Sequence, residues 1–170
     1  MAYSMYHATV PVMVRALRNL RSVLQIGEKF ANDKGIAPEV LLQSRLIADM
    51  LPLIKQVQIA TDTSKFAVAR LTATDPVSFT DDETTFEQLY ARLDRCIEVL
   101  GAYKPEQFDG AESREVAFKT RTAELKFTGA DYLGTYALPN LFFHATTAYA
   151  ILRVAGAPLG KTDYLAGAGR

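Results

Sequence analysis

The chain has 170 residues, of which 49% are hydrophobic and 22% are charged. This length suits one domain with its own core, so we expect a single domain over residues 1–170. Nineteen basic and nineteen acidic residues give a formal net charge of zero, which argues against binding nucleic acid or an anionic membrane through bulk charge.

The cysteine content and the amino terminus bear on redox chemistry and location. Cys96 is the only cysteine, which excludes an intrachain disulfide and a thiolate zinc cluster, and its apolar helical neighbours predict an inert packed thiol. The segment Met1–His7 lacks a basic region followed by an apolar stretch, so it does not resemble a signal peptide. No window approaches the ~20 apolar residues that span a bilayer. We therefore expect a cytoplasmic protein.

The first half of the chain predicts two long helices. Apolar residues at three- and four-residue spacing indicate a helix from Ser4 to about Asn32. A second helical period runs from Val40 to about Leu71, with a bend expected at Pro52. On this second helix Arg45 and Asp49 have the spacing of an i,i+4 ion pair, and an inward position for Asp49 is the open alternative.

A third helix is predicted to begin at a capping box. Thr80 and Glu83 have the spacing at which each side chain satisfies a free backbone amide of the other. The apolar period that follows continues to Gly101, and its charged residues, including Arg92, are expected on the solvated face.

A hairpin and a fourth helix complete the predicted elements. Partly alternating runs at 114–119 and 123–127 flank Thr120-Arg121-Thr122, which indicates a short β-hairpin. The fourth helix is expected from Asp131 to Ala155, bent by Pro139. Four long helices with one hairpin predict an all-α four-helix bundle.

The most apolar long segment, Leu138–Arg153, contains one of the two histidines. Its spacing places Asn140 and His144 one turn apart on the core-facing side of the fourth helix. A buried polar group left without a partner costs on the order of 1–3 kcal/mol, so the pair requires a metal, water or hydrogen-bonding neighbours. The candidate neighbours are Gln56, Tyr136 and Asp49.

The same segment carries a family resemblance. The motif Leu138-Pro139-Asn140-Leu141-Phe142-Phe143-His144, continued through 147–153 and 160–163, resembles an uncharacterised domain-of-unknown-function family within the DinB/YfiT-like superfamily of proposed metalloenzymes. Arg45, Asp49, Gln56 and Asp62 belong to the same pattern. The resemblance covers nearly the whole chain. It implies a DinB-like four-helix bundle, often a homodimer, with a metal pocket lined by the second and fourth helices.

The resemblance also implies site residues. The superfamily's usual ligands are one histidine of the second helix and a His-x-x-x-His pair of the fourth. Here the pair falls on Asn140 and His144, and the second-helix position falls near Asp49, so two of the three usual ligands are changed. The implied metal ligands are His144, Asn140 and Asp49, for a divalent ion such as zinc, nickel or manganese. The implied contacts to a small-molecule ligand are Arg45, Gln56 and Lys161.

Two classes of function follow from these residues. Some members of the superfamily are thiol-dependent S-transferases, in which a metal with an open coordination position activates a thiol. The other class is a metal-free, non-catalytic bundle that binds a small molecule or acts as a dimer. In that class the inward polar residues hydrogen-bond one another.

Overall fold

The computed structural model describes residues 4–120 and 122–166, and shows a mostly helical protein with one two-stranded antiparallel sheet. Arg121 of the predicted hairpin turn, residues 1–3 of the amino terminus and residues 167–170 lie outside the described part. In chain order the elements are α1 (Met5–Asp33), α2 (Pro38–Gln43), α3 (Leu53–Thr72), α4 (Phe86–Ala102), a 3₁₀ turn (Pro105–Phe108), β1 (Glu115–Lys119), β2 (Glu124–Thr128), α5 (Gly129–Asp131), a π-helical turn (Tyr132–Ala137), α6 (Leu138–Val154) and α7 (Lys161–Ala166).

The core lies between the four longest described helices. Helix α3 packs against α4 and α6, and α1 packs against the same two helices. The buried side chains are mainly leucine, valine and alanine, and burying one leucine or valine contributes about 1.5–3 kcal/mol. Within residues 4–120 and 122–166, no helix combines the length and apolar character that crossing a bilayer requires.

The prediction of one continuous second helix is wrong between residues 44 and 52. Pro52 has no N–H to donate, and its ring disfavours helical backbone at the residue before it. These effects reach residues 48–51. The helix itself ends earlier, at Gln43, where Ser44 is extended, and helix begins again at Leu53, with Pro52 in an extended conformation. A hydrogen bond of 2.9 Å from the Leu53 N–H to the Ser44 carbonyl closes the loop. The two helical pieces thus stay adjacent without being continuous.

The predicted start of the third helix is also wrong. Thr80 and Glu83 lie in a segment without helix, and α4 begins at Phe86. The capping box is made by Thr85 and Gln88, whose side chains accept hydrogen bonds from each other's backbone N–H groups at 3.2 and 3.1 Å. Glutamine completes a capping box as glutamate does, so the sequence contains two capping-box patterns in succession, and the helix begins at the second.

Arg92 was predicted on the solvated face of this helix, and that prediction is wrong because the side chain is only 4% exposed. Its guanidinium pairs with the carboxylates of Asp62, Asp81 and Glu83 at 2.9, 3.0 and 3.0 Å. Two of these partners belong to the segment 73–85, which has no regular secondary structure between α3 and α4. Arg92 therefore fastens that segment to both helices.

Cys96 lies one turn further along α4 and is completely buried. Its Sγ donates to the Thr61 carbonyl at 3.5 Å, and burial raises the pKa of the thiol to about 12. The thiol is therefore protonated at neutral pH, as expected of a packed cysteine.

The predicted hairpin is confirmed, with β1 and β2 in antiparallel register. Its Phe118 ring packs edge-on against Tyr132 and Tyr136 of the π-helical turn, with centroids 5.8 and 5.2 Å away. Gly129 joins the hairpin to the helical run, and a Cβ atom there would collide with the Ala111 carbonyl oxygen. A side chain at position 129 would therefore push the start of this helical run away from the Ala111 backbone.

We expect Arg92→Met to lower the free energy of unfolding by about 3 kcal/mol, because removing one partner leaves a largely buried carboxylate at Glu83 without its cation. Urea denaturation measures the loss. Arg95→Met is the control, since Arg95 is exposed on the same helix, and its loss should stay under about 1 kcal/mol. Equal losses in the two variants would show that the buried ion pairs of Arg92 add nothing to the free energy of unfolding beyond what an exposed arginine contributes.

Candidate functional site

Two polar pairs join α3 to α6. The His144 Nδ1 lies 2.7 Å from the Gln56 Oε1, and the Asn140 Nδ2 donates to the Thr63 Oγ1 at 3.0 Å. Residue numbers rise along α3 as they fall along α6, so the two helices run antiparallel. The prediction that Asn140 and His144 face the protein interior is confirmed, and Gln56 is the neighbour that His144 contacts.

Gln56 determines which nitrogen of His144 carries the proton. The Gln56 Nε2 donates to the Leu51 carbonyl at 2.9 Å, which places Oε1 towards the imidazole. Since an amide oxygen only accepts, Nδ1 must donate, and the lone pair of the neutral ring is on Nε2. Burial lowers the pKa of His144, so the ring is neutral near pH 7. Nε2 has no hydrogen-bond partner among the described residues.

The loop between α2 and α3 contains two of the predicted site residues. The Arg45 Nη1 donates to the Met50 carbonyl at 2.6 Å, next to the Leu51 carbonyl that Gln56 contacts. The predicted i,i+4 ion pair is therefore not formed, and Asp49 is exposed in a turn. Arg45 and Gln56 both hold the backbone of this loop, which connects them to His144.

Lys161 lies apart from these residues. It is the exposed first residue of α7, which packs against α1. The same short helix contacts α6 through the Tyr164 hydroxyl and the Thr146 Oγ1, which are 3.0 Å apart. No contact within the described part of the chain connects Lys161 to His144. The structure therefore brings together Gln56, His144 and the Arg45 loop, without Lys161.

The predicted ligand set does not fit a metal centre of the usual superfamily type. Nδ1 of His144 is engaged as a donor to Gln56, so only Nε2 could coordinate an ion. Asp49, the only carboxylate of the set, is exposed in the loop, and the other predicted ligand, Asn140, offers a neutral amide. Among residues 4–120 and 122–166, no group of three or more His, Cys, Asp or Glu side chains could hold a metal ion. Metal binding by these residues stays a prediction.

A cleft of about 230 Å³ lies beside Asn140, between α3, β1, the π-helical turn and α6. Its size is below the roughly 300–1,000 Å³ of pockets for drug-sized ligands, so it suits a molecule of about one ring. Its lining combines aromatic and polar side chains. The lining residues are Ile59, Asp62, Thr63, Phe66, Arg70, Phe118, Lys119, Thr120, Tyr132, Tyr136 and Asn140.

Arg70 is the central polar residue of this cleft. Its guanidinium carbon lies 3.7 Å from the centroid of the Phe118 ring, and its Nη1 donates to the Tyr132 hydroxyl at 3.0 Å. Burial raises the pKa of Tyr132, so that hydroxyl is neutral at physiological pH. The amide oxygen Oδ1 of Asn140 has no hydrogen-bond partner among the described residues. The cleft thus offers both donors and an acceptor among aromatic walls.

Sequence reasoning missed this cleft, although the sequence contains a signal for part of it. Tyr132, Tyr136, Asn140 and His144 follow one another at four-residue steps, which places them along one strip of the last long helical run. The sequence analysis predicted Asn140 and His144 as site residues, and Tyr136 only as a possible hydrogen-bonding neighbour. No signal in the sequence identified Arg70, because its partners come from the hairpin and the π-helical turn.

A second cavity, of about 340 Å³, lies between α1, α6 and α7. Apart from Arg15 and Asn19, its main lining groups are apolar, and those two donate to the carbonyls of Tyr164 and Leu165. None of the predicted site residues lines it. Ligand sites usually combine apolar walls with a few convergent polar groups, so the cleft beside Asn140 is the better candidate.

We expect ¹⁵N NMR of the imidazole to show Nδ1 protonated and Nε2 unprotonated, because Gln56 accepts from Nδ1. A pH titration of the same signals should give a pKa below the ordinary value of about 6.5, since burial disfavours the cation. Gln56→Leu removes the acceptor and should reduce the preference for this tautomer. A native ring protonated on Nε2 would contradict the assignment.

Comparison with known proteins agrees with the resemblance seen in the sequence. The family model described as domain of unknown function (DUF1993) matches residues 5–165. The crystal structure of a DinB family member protein from Shewanella denitrificans is similar, with 38% sequence identity and a TM-score of 0.90 over 98% of this chain and 94% of that one. The search among curated proteins gives no match. The chain therefore belongs to the DUF1993 family of domains of unknown function, and is similar over nearly its whole length to a DinB family protein.

Proposed function

We propose that this protein is a metal-free module, built on a DinB-type four-helix bundle, that binds a small organic molecule in the cleft beside Asn140. The observation that carries the proposal is the convergence of Arg70, Tyr136 and Asn140 on one small concave site with aromatic walls. Apolar walls supply affinity, and a few fixed polar groups supply orientation and specificity.

The chemistry of the lining supports binding over covalent catalysis. Asp62, the carboxylate of the cleft, is paired with Arg92 at 2.9 Å, and burial raises the pKa of Tyr132 and keeps its hydroxyl protonated, so neither group is poised as a nucleophile or base. His144 lies one helical turn away, with Nδ1 committed to Gln56. A neutral imidazole in that position serves to close the α3–α6 interface.

The second class, a metal-dependent thiol S-transferase, is favoured by one observation, the unpartnered lone pair on Nε2 of His144. That reaction requires a Lewis acid held by several ligands with one position open. The amides of Gln56 and Asn140 hydrogen-bond to His144 and Thr63, and they carry no charge to hold a divalent ion. The donor set therefore supports the metal-free class.

We expect elemental analysis of tag-free protein to find zinc, nickel and manganese far below one ion per chain, even after incubation with each ion and dialysis. His144→Ala is the comparison, because it removes the only imidazole of the predicted set. Near-stoichiometric metal in the native protein that is lost in His144→Ala would contradict the proposal and favour the S-transferase class.

We expect one-ring probes, benzamide and benzoate, to shift backbone amide signals around the cleft in NMR titrations. Tyr136→Ala should weaken these shifts, because it removes one aromatic wall. Tyr149→Ala is the matched control, since this half-buried tyrosine packs against Tyr164 on another side of α6. The proposal fails if neither probe shifts the cleft signals, or if the shifts centre on the cavity between α1, α6 and α7.

Two other expectations stay predictions. The resemblance implies a homodimer, and exposed apolar side chains near the His144–Gln56 pair, Leu51 at 45% and Phe143 at 56%, support an additional contact surface there. The cytoplasmic location rests on the sequence reading alone.

A further inference from the structure

We infer that the ligand of the cleft beside Asn140 is an organic anion, a planar ring bearing a carboxylate, and that Arg70 binds the carboxylate. The inference rests on the proposed small-molecule binding and names the class of ligand.

The guanidinium of Arg70 is held by neutral groups. Phe118 lies under it at 3.7 Å, and Phe66 and Tyr132 have ring centroids 5.1 and 5.6 Å from its central carbon. Among the described residues, its one side-chain hydrogen bond runs from Nη1 to the neutral Tyr132 hydroxyl. Stacking and this bond fix the plane of the group, and several of its five N–H donors have no partner in the described part of the chain. A planar donor fork of this kind matches a carboxylate bidentately.

The charge of Arg70 is not neutralised by the described part of the chain. No carboxylate of residues 4–120 or 122–166 lies within 4.0 Å of it, whereas Arg92 on the neighbouring helix α4 contacts three. Asp62, the one carboxylate of the cleft, already pairs with Arg92 at 2.9 Å and with Lys65 at 3.2 Å. Lys119 also lines the cleft, and Glu124 lies opposite it in the register of the hairpin, so the charge without a nearby carboxylate is that of Arg70. The cleft therefore has an uncompensated positive charge, which favours an anion.

The walls of the cleft define the rest of the ligand. The rings of Phe66, Phe118 and Tyr136 surround the space, and aromatic faces pack well against another planar ring. At the α6 side, the free Oδ1 of Asn140 can accept a hydrogen bond from a ring substituent. A volume of about 230 Å³ holds a single substituted ring.

The test compares benzoate with benzamide, which has nearly the same shape without the charge. We expect NMR titrations of the native chain at low salt to give benzoate about tenfold tighter binding than benzamide, the factor that one additional charge-assisted hydrogen bond supplies. The advantage should decrease with rising salt, because the ion pair is partly screened. Arg70→Gln should remove the advantage of benzoate over benzamide, so that the two probes bind with equal affinity.

Controls separate charge, geometry and folding. Arg18→Gln makes the same change in net charge at an exposed position of α1 and should keep the benzoate advantage. Arg70→Lys keeps the charge but lacks the planar donor fork, so it should retain only part of the benzoate advantage.

Benzamide that binds the native cleft as tightly as benzoate overturns the anion inference and leaves the proposed function standing. Binding of neither probe overturns both. The native comparison decides the inference even if Arg70→Gln fails to fold.

Discussion

The requirement that buried polar groups be paired determines how α3 and α6 fit together. Gln56 and Thr63 are two turns apart on one helix, and His144 and Asn140 are one turn apart on the other, yet both pairs form at once. Sliding either helix along its axis would leave four polar groups without partners, at about 1–3 kcal/mol for each group that is buried. This interface therefore fixes the register of the core, and the register places Asn140 at the edge of the cleft.

The π-helical turn gives the cleft its second wall. A π turn inserts one extra residue per hydrogen-bonded ring, so it rotates the following side chains relative to an α-helix, and such turns are frequent at functional sites. Here the turn places both Tyr132 and Tyr136 on the cleft, and Tyr132 is the more deeply buried, with only 1% of it exposed. Phe118 of the hairpin contacts both rings. The hairpin, which is too small to be stable alone, is stabilised by these contacts and presents Phe118 to Arg70.

The sequence predicted what depends on local periodicity and failed where distant partners decide. The first helix, the hairpin and the inward orientation of Asn140 and His144 followed from spacing. The fourth helix was predicted from Asp131 as one α-helix, and the π-helical turn at Tyr132–Ala137 was missed. The break before Pro52 was underestimated as a bend, because a proline tolerated in a kinked helix and one that ends a helix look alike in sequence. Arg92 has the spacing of a solvated charge, and only the carboxylates of α3 and the 73–85 segment make its burial possible. Arg70 was missed for the same reason.

Two amide side chains, those of Gln56 and Asn140, close the α3–α6 interface. Several imidazoles facing one another in a core have acceptor nitrogens that need a metal or protons, whereas an amide supplies a donor and an acceptor together. Gln56 satisfies both the loop carbonyl of Leu51 and the Nδ1–H of His144, and Asn140 donates to Thr63. An interface closed in this way is stable without an ion. In the cleft one turn along α6, neutral groups hold the Arg70 guanidinium, and no carboxylate of residues 4–120 or 122–166 pairs with it.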